Sequence, residues 1–159
     1  MLLALPLAEQ GKIIHGIQNM STIQIAATPA EINACHAVMA QLRPQYAQDE
    51  FLAQVQRQMK HGYHLACLSA AGSVQAVAGF RLLENLAWGR FLYVDDLVTD
   101  QNSRSQGHGK ALLNWLNEHA RRQGCAQLHL DSGAQRKDAH RFYLREGMKN
   151  SGFHFMTKL

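Results

Sequence analysis

The 159-residue chain has 47% hydrophobic and 18% charged side chains, three prolines and a net charge of +4. That is the size of one domain burying about 68–70% of its unfolded surface, and the composition argues against disorder and low complexity. Cys35, Cys67 and Cys125 are odd in number, far apart and never in a C-x-x-C pair, which argues against a disulfide framework or a zinc knuckle and for a reducing, cytoplasmic setting.

No stretch reaches the roughly 18 apolar residues that cross a bilayer, so no membrane role is expected. Residues 1–19 carry a short apolar run broken by Pro6 and Glu9, with no basic residue before it. They make a poor signal peptide and read as a dispensable N-terminal extension, leaving 20–159 as a single domain. Ile23 and Ile25 alternate with polar neighbours and predict a strand over 22–27. Thr28-Pro29-Ala30-Glu31 supplies a capping box with proline at the first helical position, opening a helix over 29–43. Asp49 and Glu50 mark the first turn of a second helix over 49–61, stopped by Gly62.

A strand over 63–70, a hairpin turn at 71–73, a strand over 74–83 and another over 91–99 then form a three-strand meander. An amphipathic helix follows and stops at Gly124, with Leu112, Trp115, Leu116 and Ala120 on its apolar side. A strand over 126–131, a helix over 135–146 ending at Gly147 and a last strand over 153–158 complete the chain. The order predicts an α/β (α+β) protein in which a mixed sheet is covered by helices, and the strands either side of the 110–120 helix run parallel.

Between the 91–99 strand and that helix lies Arg104-Ser105-Gln106-Gly107-His108-Gly109. Two glycines one residue apart at a helix start let several backbone N–H groups face one anion. Leu112 occupies the place of the third glycine of a dinucleotide fingerprint, while Arg104 and Ala111 break the Walker pattern. Charge is skewed the same way: residues 101–159 hold ten Lys and Arg against four acids, and residues 1–100 hold six against eight. A ligand with several phosphates accounts for the skew, and a nucleic-acid surface is the alternative.

The R-x-x-G-x-G turn at Arg104, Gly107 and Gly109, continued by Lys110-Ala111-Leu112-Leu113, resembles the coenzyme A loop of the GNAT superfamily of N-acetyltransferases. Ala139, Phe142, Tyr143 and Gly147 are similar to that family's late A-x-x-F/L-Y-x-x-x-G signature, and the order of elements agrees from residue 20 onward. Ser103 and Ser105 stand where the family often has Tyr and Gly, and Arg136 stands where Asn often opens the late signature. The resemblance implies a mostly antiparallel central sheet with helices on both faces, and acetyl-coenzyme A as cosubstrate with no metal.

It also implies site roles. Amides near Leu97, Val98 and Thr99 would pair with the pantetheine arm like an added strand. Amides from Ser105, Gln106, Gly107, His108, Gly109 and Lys110 would hold the pyrophosphate, with Arg104 and Lys110 as charge partners and Arg136, Ala139 and Phe142 nearby. Tyr143 would protonate the departing thiolate, and Asp95 or Asp96 would take the amine proton. Strand alternation points at most one of the two aspartates at the acceptor cleft.

The acceptor is expected to be a small amine or lysine-like group, and pairing of two copies through their last strands is a further expectation. A non-catalytic acyl-coenzyme A sensor on the same fold is the alternative reading. Among the nine histidines only His61 and His64 are close, and they straddle the helix stop at Gly62, so no metal site is expected.

Overall fold

The computed structural model describes residues 21–159, so the extension assigned to 1–19 lies outside the described residues. The elements run β1 (Thr22–Ile25), α1 (Pro29–Met39), α2 (Gln48–Met59), β2 (Tyr63–Ala70), β3 (Ser73–Asn85), β4 (Gly89–Thr99), α3 (His108–Arg122), β5 (Gln127–Leu130) and α4 (Lys137–Arg145). The five strands form one sheet in chain order. Neighbours from β1 to β4 pair antiparallel and β5 pairs parallel to β4, as a helix-linked crossover requires.

Local chemistry sets these boundaries. Thr28 accepts from the Glu31 amide at 3.3 Å and the Glu31 carboxylate accepts from the Thr28 amide at 2.9 Å, closing the capping box of α1. Ala71 and Gly72 both have positive φ, 51° and 80°, which matches the right-handed twist of β2 and β3 and turns the chain in two residues. Ser73, expected in that turn, is already paired with Ala70.

Alternation along β2 and β3 then divides the core in two. Leu65, Cys67 and Val77 pack with Ile32, Cys35 and Met39 of α1 and Phe51 and Val55 of α2. Ala66, Leu68, Ala78 and Phe80 face the other way, against Leu112, Leu116 and Ala120 of α3. Helices therefore cover both faces of the sheet.

In β4 the alternation breaks. Gly79 pairs with Asp96 and Phe80 with Val94, leaving Asp95 as an extra residue in a β-bulge. Val94 and Leu97 both pack on the α3 face. Asp95 and Asp96 between them both turn to the α1/α2 face, where their side chains meet Arg81, Arg43 and Tyr63. The alternation that points only one of them to the cleft is overridden by the bulge.

Beyond the bulge β4 loses its neighbour. It pairs with β5 only from Phe91 to Val94, opposite Gln127 to Leu130, so among the described residues its 95–99 edge has no strand partner on that side. The strand predicted over 153–158 does not form either: Phe153, Phe155 and Met156 stand exposed at 89%, 89% and 70%. A strand needs a ladder partner for its amides, and the apolar alternation of this segment supplies none. His154 Nδ1 pairs with Asp131 Oδ2, just beyond the end of β5, at 3.3 Å.

Gly79 faces Asp96 with the Tyr63 ring lying over it: a β-carbon at this position would sit 2.0 Å from the Tyr63 hydroxyl oxygen and 2.5 Å from Cζ. Gly79→Ala is therefore expected to lower the unfolding free energy by about 1–3 kcal/mol, the usual cost of overpacking, read from the midpoint of urea unfolding. An unchanged midpoint would contradict the packing of Tyr63 across Gly79.

Candidate active site

The bulge gathers two carboxylates and two guanidiniums. Arg81 Nε donates to Asp95 Oδ2 at 2.8 Å, its Nη2 to Gln58 Oε1 at 2.5 Å and its Nη1 to the His61 carbonyl at 3.3 Å. Arg43 Nε donates to Asp96 Oδ1 at 2.7 Å and the Tyr63 hydroxyl donates to Asp96 Oδ2 at 3.4 Å. Both Asp96 oxygens are thus engaged. Asp95 Oδ1 accepts no hydrogen bond among the described residues.

Burial raises the Asp95 pKa above the ordinary carboxylate value, outweighing the Arg81 hydrogen bond and charge that pull it down. Burial, followed by the Asp96 and Asp95 charges, holds the Tyr63 phenol well above its usual value, so it remains a donor. Arg43 is placed by the turn that follows α1, which is fastened just beyond the end of β4: Gln41 Nε2 donates to Asp100 Oδ1 at 2.8 Å and Gln41 Oε1 accepts from the Gln101 amide at 2.9 Å.

A cavity of about 330 Å³ opens where β4 and β5 part. Asp95, Asp96 and Leu97 line one side, Asp131, Ser132 and Arg136 another, and Tyr143 of α4 closes it. A second cavity, of about 300 Å³, lies beneath α1 and α2 and is lined by Tyr46, Phe51, Gln54, Gln58 and Tyr63. Arg43, Asp95 and Asp96 form a wall common to both. Burial raises the Tyr143 phenol above its usual pKa, partly opposed by the Arg136 charge, so the hydroxyl carries its proton at neutral pH.

The glycine turn sits at the far end of the unpaired β4 edge. Ser105 adopts φ 64° and Gly107 φ 84° before α3 begins, and Ser105 thus holds a left-handed conformation that glycine adopts without the steric cost. The first helical bond runs from the Ala111 amide to the Gly107 carbonyl at 2.9 Å, which leaves the amides of His108, Gly109 and Lys110 unspent. A β-carbon on Gly109 would come within 3.0 Å of Thr99 Oγ1 and 3.7 Å of the Phe142 ring, so Thr99, Gly109 and Phe142 meet at one point.

Other predicted residues are placed differently. Val98 packs with the α1/α2 core. Lys110 is ion-paired with Glu146 at 3.4 Å, whereas Arg104 is exposed and has no ion pair among the described residues. Ala139 lies on the half-buried face of α4 with Phe142 and Tyr143.

Arg43, Tyr63, Arg81 and Asp131 were not singled out by the sequence. Arg43 reads there as a helix end and Tyr63 as a strand start, and nothing local signals their partners 53 and 33 residues away. Asp131 accepts from the Tyr93 hydroxyl.

The arrangement suits a ligand made of amides and phosphates. Among the described residues, an unpaired strand edge leads from the cavity to a turn with open amides, and the Ser132 hydroxyl oxygen is buried in the cavity wall with no partner. No helix of the described residues is long and apolar enough to cross a membrane.

Comparison with known proteins agrees. An uncharacterized N-acetyltransferase of Bacillus subtilis, YhdJ, is 35% identical over 109 residues, covering 68% of this chain and 77% of that protein. The aminoalkylphosphonate N-acetyltransferase of Salmonella typhimurium is 44% identical over 66 residues, 42% of this chain and 43% of its own length, so the match spans less than half of that relative.

Among solved structures, an aminoglycoside N-acetyltransferase in complex with coenzyme A superposes with a TM-score of 0.79 at 12% identity over 89% of this chain and 95% of that one. A transcriptional regulator from Bacillus halodurans superposes with a TM-score of 0.76 at 22% identity, covering 88% of this chain and all of that one. At these identities the two structures support the fold. The model of the acetyltransferase (GNAT) family matches residues 30–148, and the chain belongs to that family as an N-acetyltransferase.

Proposed function

We propose that this chain transfers the acetyl group of acetyl-coenzyme A to the amine of a small molecule by direct attack, with both substrates bound at once. The observation that carries the reading is the cavity at the β4–β5 fork. It brings Asp95, Asp96 and Tyr143 to one space beside the unpaired β4 edge. Two relatives are named for amine acceptors, an aminoalkylphosphonate and an aminoglycoside, which supports a small-molecule acceptor here.

Acetyl-coenzyme A, when bound, supplies the thioester carbonyl and a leaving thiolate. The 97–99 backbone of β4 offers its open edge to the pantetheine arm, and an amide there polarises the carbonyl. The amides of 105–110 and the Arg104 guanidinium hold the pyrophosphate, with Arg136 at the cavity end and Ala139 and Phe142 packing alongside. Lys110 joins them only by leaving Glu146.

Asp95 takes the amine proton. Its Oδ1 is the carboxylate oxygen of the pair left without a partner among the described residues, and its raised pKa makes it a stronger base than an exposed aspartate. Asp96, held by Arg43 and Tyr63, is the positioning member. Tyr143 keeps its proton through neutral pH and gives it to the departing sulfur.

Two outcomes follow. Acetyl-coenzyme A and coenzyme A should raise the melting temperature in a concentration-dependent way, by mass action on the folded state. Absence of a shift with both would remove the reading. Tyr143→Phe should lower kcat about 10²–10⁴-fold, the range for loss of a general acid, while leaving the acetyl-coenzyme A melting shift in place. Steady-state release of free thiol measures this, and unchanged turnover would assign Tyr143 to packing alone.

A further inference from the structure

The second cavity has a donor arrangement that acetyl transfer by itself does not require. Arg43 is the only cation among the residues lining it, and the lining carboxylates are Asp95 and Asp96. Arg43 uses Nε on Asp96 and Nη2 on the Asp95 carbonyl, the latter at 3.4 Å, so its remaining N–H groups are uncommitted among the described residues. Its side chain is 45% exposed, against 13% for Asp96.

Two glutamines complete the set. The Gln54 Oε1 accepts from Arg57, and the Gln58 Oε1 accepts from Arg81 at 2.5 Å. Because a guanidinium only donates, each contact fixes the amide orientation and leaves the NH₂ as the free end. Both glutamines line the cavity. It is therefore equipped with one guanidinium fork and two carboxamide donors, a set that recognises an anion.

Charge balance points the same way. Each carboxylate of the bulge already has its own arginine, at 2.7 and 2.8 Å. The two carboxylates and two guanidiniums sum to zero, so the wall offers a purely cationic acceptor no net negative charge. One that carries an ammonium and an anion a few bonds apart puts the amine at Asp95 and the anion at Arg43, on the wall the two cavities share.

We infer that the acceptor is an amine bearing an anionic group, a phosphonate, phosphate or carboxylate, and that Arg43 with Gln54 and Gln58 holds that group in the second cavity. This rests on the acetyl-transfer reading and narrows its acceptor from the lysine-like class to the zwitterionic one. Arg43 is the specificity-determining residue: it touches the part of the acceptor that does not react.

The test is acetylation of four probes of similar length at fixed acetyl-coenzyme A: 3-aminopropylphosphonate, 4-aminobutyrate, butylamine and 1,4-diaminobutane. The wild-type protein should favour the better of the two anionic amines over the diamine by at least about tenfold in kcat/KM, a difference of about 1.4 kcal/mol. Which anion leads distinguishes a tetrahedral from a planar head group. Arg43→Gln should cut that preference about tenfold or more and tilt it toward the diamine, because Asp96 loses its counter-charge. Gln54→Leu should raise KM for the anionic probes more than for butylamine. Both variants are checked for folding by their acetyl-coenzyme A melting shift.

A wild-type protein that acetylates the diamine as well as the anionic amines, or an Arg43→Gln variant that changes all four probes alike, would overturn the inference while acetyl transfer stands. If none of the four is acetylated by a protein that binds acetyl-coenzyme A, the inference falls together with the transfer reading.

Discussion

Position 79 has no room for a side chain, and the site depends on that vacancy. The Tyr63 ring occupies the space where a β-carbon would stand, and from there its hydroxyl reaches Asp96. The same residue sits opposite the bulge that brings Asp95 and Asp96 to one face of β4. A small residue across from an irregular strand thus does two things. It lets the acids share a face, and it lets a buried tyrosine hold one of them.

Everything else at the site follows from how β4 is flanked. Antiparallel pairing with β3 runs its full length, whereas parallel pairing with β5 stops at Val94, one residue before the bulge. Bulges bend a strand and increase its twist, which is consistent with the divergence beginning there. The fork produces the first cavity and leaves the 95–99 edge unpaired. α1 and α2 roof the opposite side with a second cavity. Arg43 stands between them, anchored through the turn after α1 that Gln41 ties to Asp100 and Gln101. The two cavities therefore reach the same two carboxylates from different sides.

Much of this was legible in the chain. The capping box at Thr28, the hairpin turn read at 71–73 and the glycine stops fix element order, because each is decided within a few residues. The turn at 104–109 was readable for the same reason. The bulge was not: the two polar residues between Val94 and Leu97 interrupt the period-2 pattern, but the pairing that makes Asp95 the extra residue is set by the partner strand. The arginine partners were hidden by separations of 53 and 14 residues. The last segment shows the opposite failure, since the alternating Phe153 and Phe155 fit a strand but propensity supplies no neighbour to pair with.

The Asp95–Arg81 pair shows how a site is tuned against the stability of its own fold. A salt bridge at 2.8 Å would by itself lower a carboxyl pKa, yet burial wins and the group holds its proton more tightly than in the unfolded chain. Between the unfolded value near 4 and the raised folded one, the native state then binds more protons than the unfolded state, so this group's contribution to stability declines as pH rises through that window. The charged form of this carboxylate therefore sits in surroundings that disfavour it. That is the condition a general base needs, because the proton it accepts from an amine relieves the cost of burial. Asp96 instead has both oxygens engaged, by Arg43 and Tyr63. Two adjacent aspartates on one face of one strand are thus made unequal by their partners: Asp95 keeps one oxygen open among the described residues, as the proposed base requires, and Asp96 holds Arg43.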